Sequence, residues 1–181
     1  MDQNLPDTLS LLERTPAVLN SLLRDLPESW TMQNEGGETW TAFDVVGHLI
    51  HCERADWMPR LRIILASGES RPFDPLDRLA QLRESQGKSF CQLLDEFADL
   101  GKANLSDLCT LNLQPEDLLR RGNHSSFGPV TLSQLLAAWA VHDLTHLHQL
   151  SRVMAYQYCD AVGPWTKFLG VMQCSGRSAA A

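Results

Sequence analysis

The sequence predicts an all-α protein built as a four-helix bundle. Four long segments repeat apolar residues at the helical period, alternation of β-branched residues is almost absent, and capping residues or prolines mark the segment ends. With 181 residues, of which 44% are hydrophobic, the chain is expected to form one domain over residues 1–175 without needing a disulfide. The small, polar tail over residues 176–181 is expected to be disordered.

The first predicted helix carries a stripe of leucines that contains a proline. Pro16 follows Thr15, and proline is favourable at the first position of a helix. The regular helix therefore starts at this point, or a longer helix kinks there. Pro27 is expected to end the helix, and residues 28–40 are expected to form a loop.

The second predicted helix follows Thr41, which can cap it, and Asp44 in its first turn favours the helix dipole. Pro59 is expected to bend this helix. Residues 67–87 contain several helix breakers together with one candidate short helix, Leu76 to Glu84. This segment is therefore expected to connect two long helices.

The third and fourth predicted helices both start with a capping box, in which Ser or Thr is followed three residues later by Gln. Ser89 begins the third helix, and Pro115 to Leu118 is expected to form a single turn. Residues 120–130 are expected to form a loop. Thr131 begins the fourth helix, which is expected to run to about Tyr158.

Histidines provide the main functional signal. His142 and His146 lie four residues apart on the fourth helix, just over one turn, so both project from one face. The apolar stripe of this helix passes through both positions, which predicts that they face the bundle core. Such a pair can bind one metal ion, and His48 on the second helix would complete a set of three imidazoles. Three protein ligands leave one coordination position free, as in catalytic metal sites.

The alternative is a pair of core histidines that are hydrogen-bonded to neighbouring side chains, because H-x-x-x-H alone is a weak motif. The pattern is not the H-E-x-x-H of zinc proteases, since Asp143 stands at the glutamate position. It is not that of a di-iron bundle either, since the chain has no E-x-x-H pair. If the histidines do bind a metal, they must be neutral, so affinity is expected to weaken below about pH 6.5.

Other polar residues of the second helix are weaker candidates. Glu53 is expected to lie close to the metal without binding it, where a carboxylate can orient a water or a histidine N–H; a solvated face is the alternative. For Asp56 the solvated face is the favoured interpretation. Cys52 is an extra ligand, a nucleophile or a small buried thiol, and the last is the usual role. Three further histidines are expected to be surface or loop residues: His51, His124 and His148.

Composition excludes several classes of partner. The formal net charge of −7 and the absence of a Lys/Arg cluster argue against a nucleic-acid binder. The chain has no long apolar run that could span a membrane and no signal-peptide pattern at its N-terminus. Five cysteines without a C-x-x-C pair are typical of reduced thiols. A cytoplasmic protein is therefore expected.

Three stretches of the chain resemble the DinB-like superfamily, also called the damage-inducible four-helix-bundle family. They are WTAFDVVGHLIHCERADW (40–57), FGPVTLSQLLAAWAVHDLTHLHQLSRVMA (127–155) and VGPW (162–165). The similarity extends over about residues 8 to 172, and the second stretch is the most specific of the three.

The resemblance implies an up-down-down-up bundle that holds a divalent metal ion through one histidine of the second helix and two of the last. Residue by residue, these match His48, His142 and His146. Relatives include transferases and isomerases that use bacterial low-molecular-weight thiols, so a small-molecule substrate and possible thiol partner are implied, as is a homodimer. The chain shows no recognisable thiol-binding signature. The resemblance also does not identify which residues of this chain would face a substrate.

We therefore expect a metal-dependent enzyme. Zn²⁺ is the first choice for three imidazoles, and Ni²⁺ or Fe²⁺ would also fit. A thiol transferase would move a thiol onto an electrophilic small molecule, whereas a hydrolase would use a water activated by the metal. The alternative is a non-enzymatic metal-binding bundle that acts as a structural or interaction module.

Overall fold

A computed structural model describes residues 4–174, and its regular structure is helical apart from one two-stranded hairpin. The long helices form the predicted all-α four-helix bundle. The helices are α1 (Leu5–Leu12), α2 (Thr15–Leu23), α3 (Glu28–Thr31), α4 (Ala42–Ala55), α5 (Trp57–Ser67), α6 (Ala80–Glu84), α7 (Phe90–Thr110), α8 (Pro115–Leu118) and α9 (Leu132–Tyr156). The hairpin strands are β1 (Arg121–His124) and β2 (Gly128–Thr131). The predicted disordered tail, residues 176–181, lies outside the described residues.

The first bundle helix is divided into α1 and α2. A helix capped by Asn4 precedes the Thr15-Pro16 pair, and a new helix starts at Thr15 with Pro16 in its first turn. The regular helix therefore starts at this point, which was one of the two alternatives, and residues 13–14 join it to α1 with helical backbone angles. The helix ends at Leu23 rather than at Pro27, because Arg24 is already extended, with ψ 136°, and Asp25 follows in a left-handed conformation with φ 62°.

The second bundle helix is divided into α4 and α5 at Asp56, where φ is −109° and ψ is −75°. The bend predicted at Pro59 is therefore present, but it lies three residues earlier. Proline has no N–H to bond the carbonyl of Ala55, and its ring would clash with that carbonyl in a regular helix.

The predicted helix starts are confirmed. Each cap side chain accepts a hydrogen bond from the third helical N–H, and the third side chain accepts one from the cap N–H. The residues in these capping boxes are Thr41 with Asp44, Ser89 with Gln92, and Thr131 with Gln134.

The loop predicted over residues 120–130 is wrong, because this segment forms the antiparallel hairpin of β1 and β2. Its glycines and proline hide the usual strand pattern. Gly122 packs so tightly that an added Cβ would lie 2.7 Å from both Ile64 and Phe73, and Gly128 has a φ of +71°. The short helix predicted at Leu76 to Glu84 covers only Ala80–Glu84, and α3 lies in the predicted loop 28–40.

Two apolar clusters form the core. One is built around α5 and the first half of α9, and the other around α2, α4 and α7. On α9, Ala140 belongs to the first cluster and Leu150 to the second, so His142 and His146 lie between them. Among the described residues, no helix is both long and apolar enough to cross a membrane.

Candidate metal centre

The structure brings the three predicted histidines together. Nε2 of His142 lies 3.3 Å from Nε2 of His48 and 3.1 Å from Nε2 of His146. One donor atom from each ring lies within 4.8 Å of the other two. Nitrogens that share a tetrahedral ion at about 2.0–2.1 Å would lie about 3.4 Å apart. The three rings therefore have the spacing that a single ion requires.

The second ring nitrogen of His146 is held by a neighbour on the same helix. Its Nδ1 lies 2.7 Å from Oε1 of Gln149, which is buried. An amide oxygen can only accept, so Nδ1 carries the hydrogen and the Nε2 lone pair points into the cluster. Gln149 was not among the predicted site residues, although its position three residues after His146 places it on the same side of α9.

Burial keeps the three rings neutral. It lowers the pKa of His48 to about 3 and the pKa values of His142 and His146 to about 4, and neighbouring imidazoles add to the shift for His48 and His146. Ligation requires neutral imidazoles, which are thus present at pH 7. We therefore expect metal affinity to weaken only at a pH below the value of about 6.5 that ordinary histidines predict.

Two tryptophans that were not predicted to belong to the site pack against the histidines. The ring centroid of Trp40 lies 4.9 Å from that of His48, and the centroid of Trp57 lies 5.0 Å from that of His142. These indoles cover apolar sides of the cluster. The side chain of His142 is still 22% exposed, so the cluster has an opening to solvent.

Cys52 is a buried thiol, as the usual role predicts, but it lies against the candidate site. Its Sγ is 3.5 Å from Nε2 of His48 and 3.8 Å from Nε2 of His142. Burial raises the pKa of this thiol above its ordinary range, so without a cation it is protonated.

Glu53 is buried rather than solvated. The indole N–H of Trp139 donates to its Oε1 at 2.9 Å, and the amide of Asn104 donates to its Oε2 at 2.7 Å. Among the described residues, none of its hydrogen bonds goes to a histidine. Trp139 stacks on Trp57, which in turn contacts His142. The role of Glu53 beside a metal ion stays a prediction, and its contact with the histidines is indirect.

Replacing Glu53 by glutamine is expected to change the pH dependence of stability. Burial raises the pKa of Glu53 from 4.5 to about 7. A carboxyl whose pKa rises on folding stabilises the fold below its unfolded pKa, and this contribution is lost as pH rises through the folded pKa. Between about pH 4.5 and 8, the wild type should lose up to about 3 kcal/mol relative to Glu53→Gln.

Urea unfolding of both metal-free proteins at each end of this range measures the difference. Glutamine cannot make the hydrogen bond with Asn104, but this loss changes the variant's stability by the same amount at both pH values. The difference in free energy of unfolding between the two proteins therefore changes with pH only through ionisation of the Glu53 carboxyl. An identical difference at both ends would show that Glu53 is already ionised at the lower pH.

Two expectations about nearby residues are wrong. His51 is buried, with Nδ1 3.2 Å from a carboxylate oxygen of Glu84. The reason is that α6 packs on α4 at Gly47, where an added Cβ would lie only 2.5 Å from Oγ of Ser85. Asp56 is also buried, at the break between α4 and α5, and it pairs with Arg60 at 2.7 Å.

The other two histidines that were predicted to be surface or loop residues, His124 and His148, are less buried than His51. His124 lies on β1, with its ring stacked on exposed Phe127 at a centroid distance of 4.4 Å. His148 lies on α9, with Nε2 3.3 Å from Sγ of Cys174. His124 is half-buried, whereas His148 is exposed, as predicted, and the structure places neither among the three clustered rings.

The fold and the site together define the class of this protein. It is a helical bundle with a candidate metal centre, formed by three histidines between its second and fourth long helices. The chain belongs to the DinB superfamily, whose family model matches residues 11–150. The resemblance seen in the sequence is thereby confirmed. No curated protein matches the chain significantly.

A solved structure has a similar fold. YfiT from Bacillus subtilis, described as a probable metal-dependent hydrolase with an unusual four-helix bundle topology, superposes with a TM-score of 0.67. The similarity covers 81% of this chain and 85% of YfiT, with 23% sequence identity. At this identity the likeness concerns the fold.

Proposed function

We propose that this protein is a metal-dependent enzyme in which His48, His142 and His146 hold one divalent ion. The observation that carries the proposal is the convergence of three neutral imidazoles, with Nε2 separations of 3.1 and 3.3 Å from His142. The description of YfiT as a probable metal-dependent hydrolase supports the same reading. A small-molecule substrate, a cytoplasmic location and a homodimer belong to the proposal.

The donor set favours particular ions. Three imidazole nitrogens suit Zn²⁺ best, and Ni²⁺ or Fe²⁺ also fit, whereas Mg²⁺ and Ca²⁺ prefer oxygen ligands. The ion would act as a Lewis acid. It would lower the pKa of a bound water or small thiol, so that a nucleophile is available at neutral pH.

The chain's own residues prepare this site. Gln149 holds the ring of His146 by accepting from its Nδ1–H, which keeps the donor nitrogen directed inward. Trp40 and Trp57 pack on the histidines and exclude water from those sides. A substrate would approach on the side where His142 is 22% exposed, so the opening suits a small molecule better than a polymer.

Two reactions fit the site, a thiol transfer and a hydrolysis. In the transfer, a bond forms between the thiol sulfur and an electrophilic carbon, the leaving group departs with the bonding electrons, and the thiol proton passes to solvent. In the hydrolysis, a water oxygen takes the place of the thiol sulfur.

The test begins with metal analysis of protein purified without a nickel column, followed by activity assays on small electrophiles and esters with and without low-molecular-weight thiols. We expect about one ion per chain and activity that is lost on chelation and restored by the ion. A requirement for thiol would identify the transferase, and activity without thiol the hydrolase. Stoichiometric metal without either activity would favour the non-enzymatic bundle, and absence of stoichiometric metal after reloading would refute the proposal.

A further inference from the structure

The histidine cluster contains a fourth donor atom that the three-histidine assignment leaves unused. His142 and His146 lie four residues apart on α9, and His48 and Cys52 lie four residues apart on α4. At this spacing the side chains of each pair lie on one face of their helix. Two facing helices thus each present two candidate ligand atoms at the cluster, as H-x-x-x-H and H-x-x-x-C.

The distances fit one ion with mixed nitrogen and sulfur ligands. With metal–nitrogen bonds of about 2.0–2.1 Å and a metal–sulfur bond of about 2.3 Å, tetrahedral geometry places sulfur about 3.6 Å from each nitrogen. The Sγ atom of Cys52 lies 3.5 Å from Nε2 of His48 and 3.8 Å from Nε2 of His142. The thiol therefore lies at the distance of a fourth ligand from two of the three donor nitrogens.

The surroundings of Cys52 differ from those of an ordinary core cysteine. Its side chain is 1% exposed, and its sulfur lies against the donor nitrogens of two histidines from different helices. One S–H group can donate to only one of them. A metal ion between the three atoms would satisfy both nitrogens and the sulfur together.

Building on the proposed function, we propose that Cys52 is the fourth protein ligand and completes a set of three histidines and one cysteine. Coordination forms a metal–sulfur bond, and the Sγ proton passes to solvent. A thiolate in the set favours Zn²⁺ or Co²⁺ over oxygen-preferring ions. With Cys52 bound, four protein ligands would hold the ion, so a substrate thiol or water would have to displace Cys52 or bind as a fifth ligand.

Cobalt substitution tests this assignment, because a cobalt–thiolate bond gives an intense near-ultraviolet charge-transfer band that imidazole ligands do not give. Metal-free full-length protein is titrated with Co²⁺ and compared with Cys52→Ser. We expect the band in the wild type and its loss in Cys52→Ser, with cobalt still bound by the histidines. Zn²⁺ affinity of the variant should fall roughly tenfold or more. The matched control is Cys109→Ser, which removes an exposed thiol on α7 and should keep the band.

The outcomes separate the two proposals. Cobalt bound without a thiolate band overturns the role of Cys52 and leaves the three-histidine site standing. Failure of the wild type to bind cobalt or zinc overturns both. If Cys52→Ser does not fold, a chain that keeps Cys52 as its one cysteine answers the question, since the four other thiols are exposed or half-buried. Loss of the band in that chain would refute the assignment.

Discussion

Replacing His146 by alanine is expected to abolish stoichiometric metal binding while the helices stay folded. The variant removes one of three converging nitrogens and leaves Gln149 without the Nδ1–H that it accepts from. The apolar clusters on either side of the histidines do not depend on the ion. We expect affinity to fall by at least about a hundredfold, since a ligand lost outright should cost no less than the 10–100-fold typical of its supporting hydrogen bonds.

Metal analysis after dialysis, together with far-ultraviolet circular dichroism, measures both parts of this expectation. The matched control is His148→Ala, which alters the same helix two residues further on, outside the three clustered rings. This control should keep its metal. A His146→Ala protein that retains stoichiometric metal would refute the site, whatever its activity.

The second large effect concerns an ion pair that fixes the loop before α4. Arg152 on α9 donates from Nε to Oε1 of Glu35 at 2.7 Å and from Nη2 to Oε2 at 2.8 Å, and both residues are about 5–6% exposed. Replacing Glu35 by glutamine leaves a buried guanidinium without its counter-charge. We expect the free energy of unfolding to fall by about 3–5 kcal/mol, because removing one partner of a buried pair costs far more than removing both.

Denaturant unfolding of Glu35→Gln measures the loss, and a cycle of Glu35→Leu, Arg152→Met and the double variant Glu35→Leu/Arg152→Met measures the coupling. The double variant should regain much of the stability lost in Glu35→Gln. Asp107→Asn serves as the control, because its pair with Arg62 is exposed, at 58% and 59%, and should be worth less than about 1 kcal/mol. A loss in Glu35→Gln no larger than in this control would show that the buried pair does not hold the loop.

This pair matters for the site because of what lies beside it. The same loop continues to Trp40, whose ring packs on His48 and stacks at 6.5 Å on His146. Arg152 lies on the same helix as His146, less than two turns further along. Loosening the loop is therefore expected to expose the histidines to water, and a rise in solvent quenching of tryptophan fluorescence in Glu35→Gln would accompany the loss of stability.

The sequence by itself determined the features that depend on neighbours within one or two turns. The capping boxes at Ser89 and Thr131, the bend caused by Pro59 and the shared face of His142 and His146 follow from bonding and geometry inside a single helix. The clustering of His48 with them was also predictable, since both apolar stripes must face one core. The same local rules place Cys52, rather than Glu53, on the face of α4 that carries His48. Four residues turn a helix by about 400°, close to one full turn, whereas five turn it by about 500°.

Tertiary structure alone decided several other contacts between distant groups. Glu35 lies in a segment predicted as a loop, and its partner is 117 residues away. His51 is buried where α6 packs on α4 at Gly47, and the hairpin packs on Phe73 at Gly122, where there is no room for a Cβ. No helical or strand period encodes these contacts. Their energy comes from pairing buried charges and filling space between elements that are far apart in the chain, and these quantities exist only once the bundle has formed.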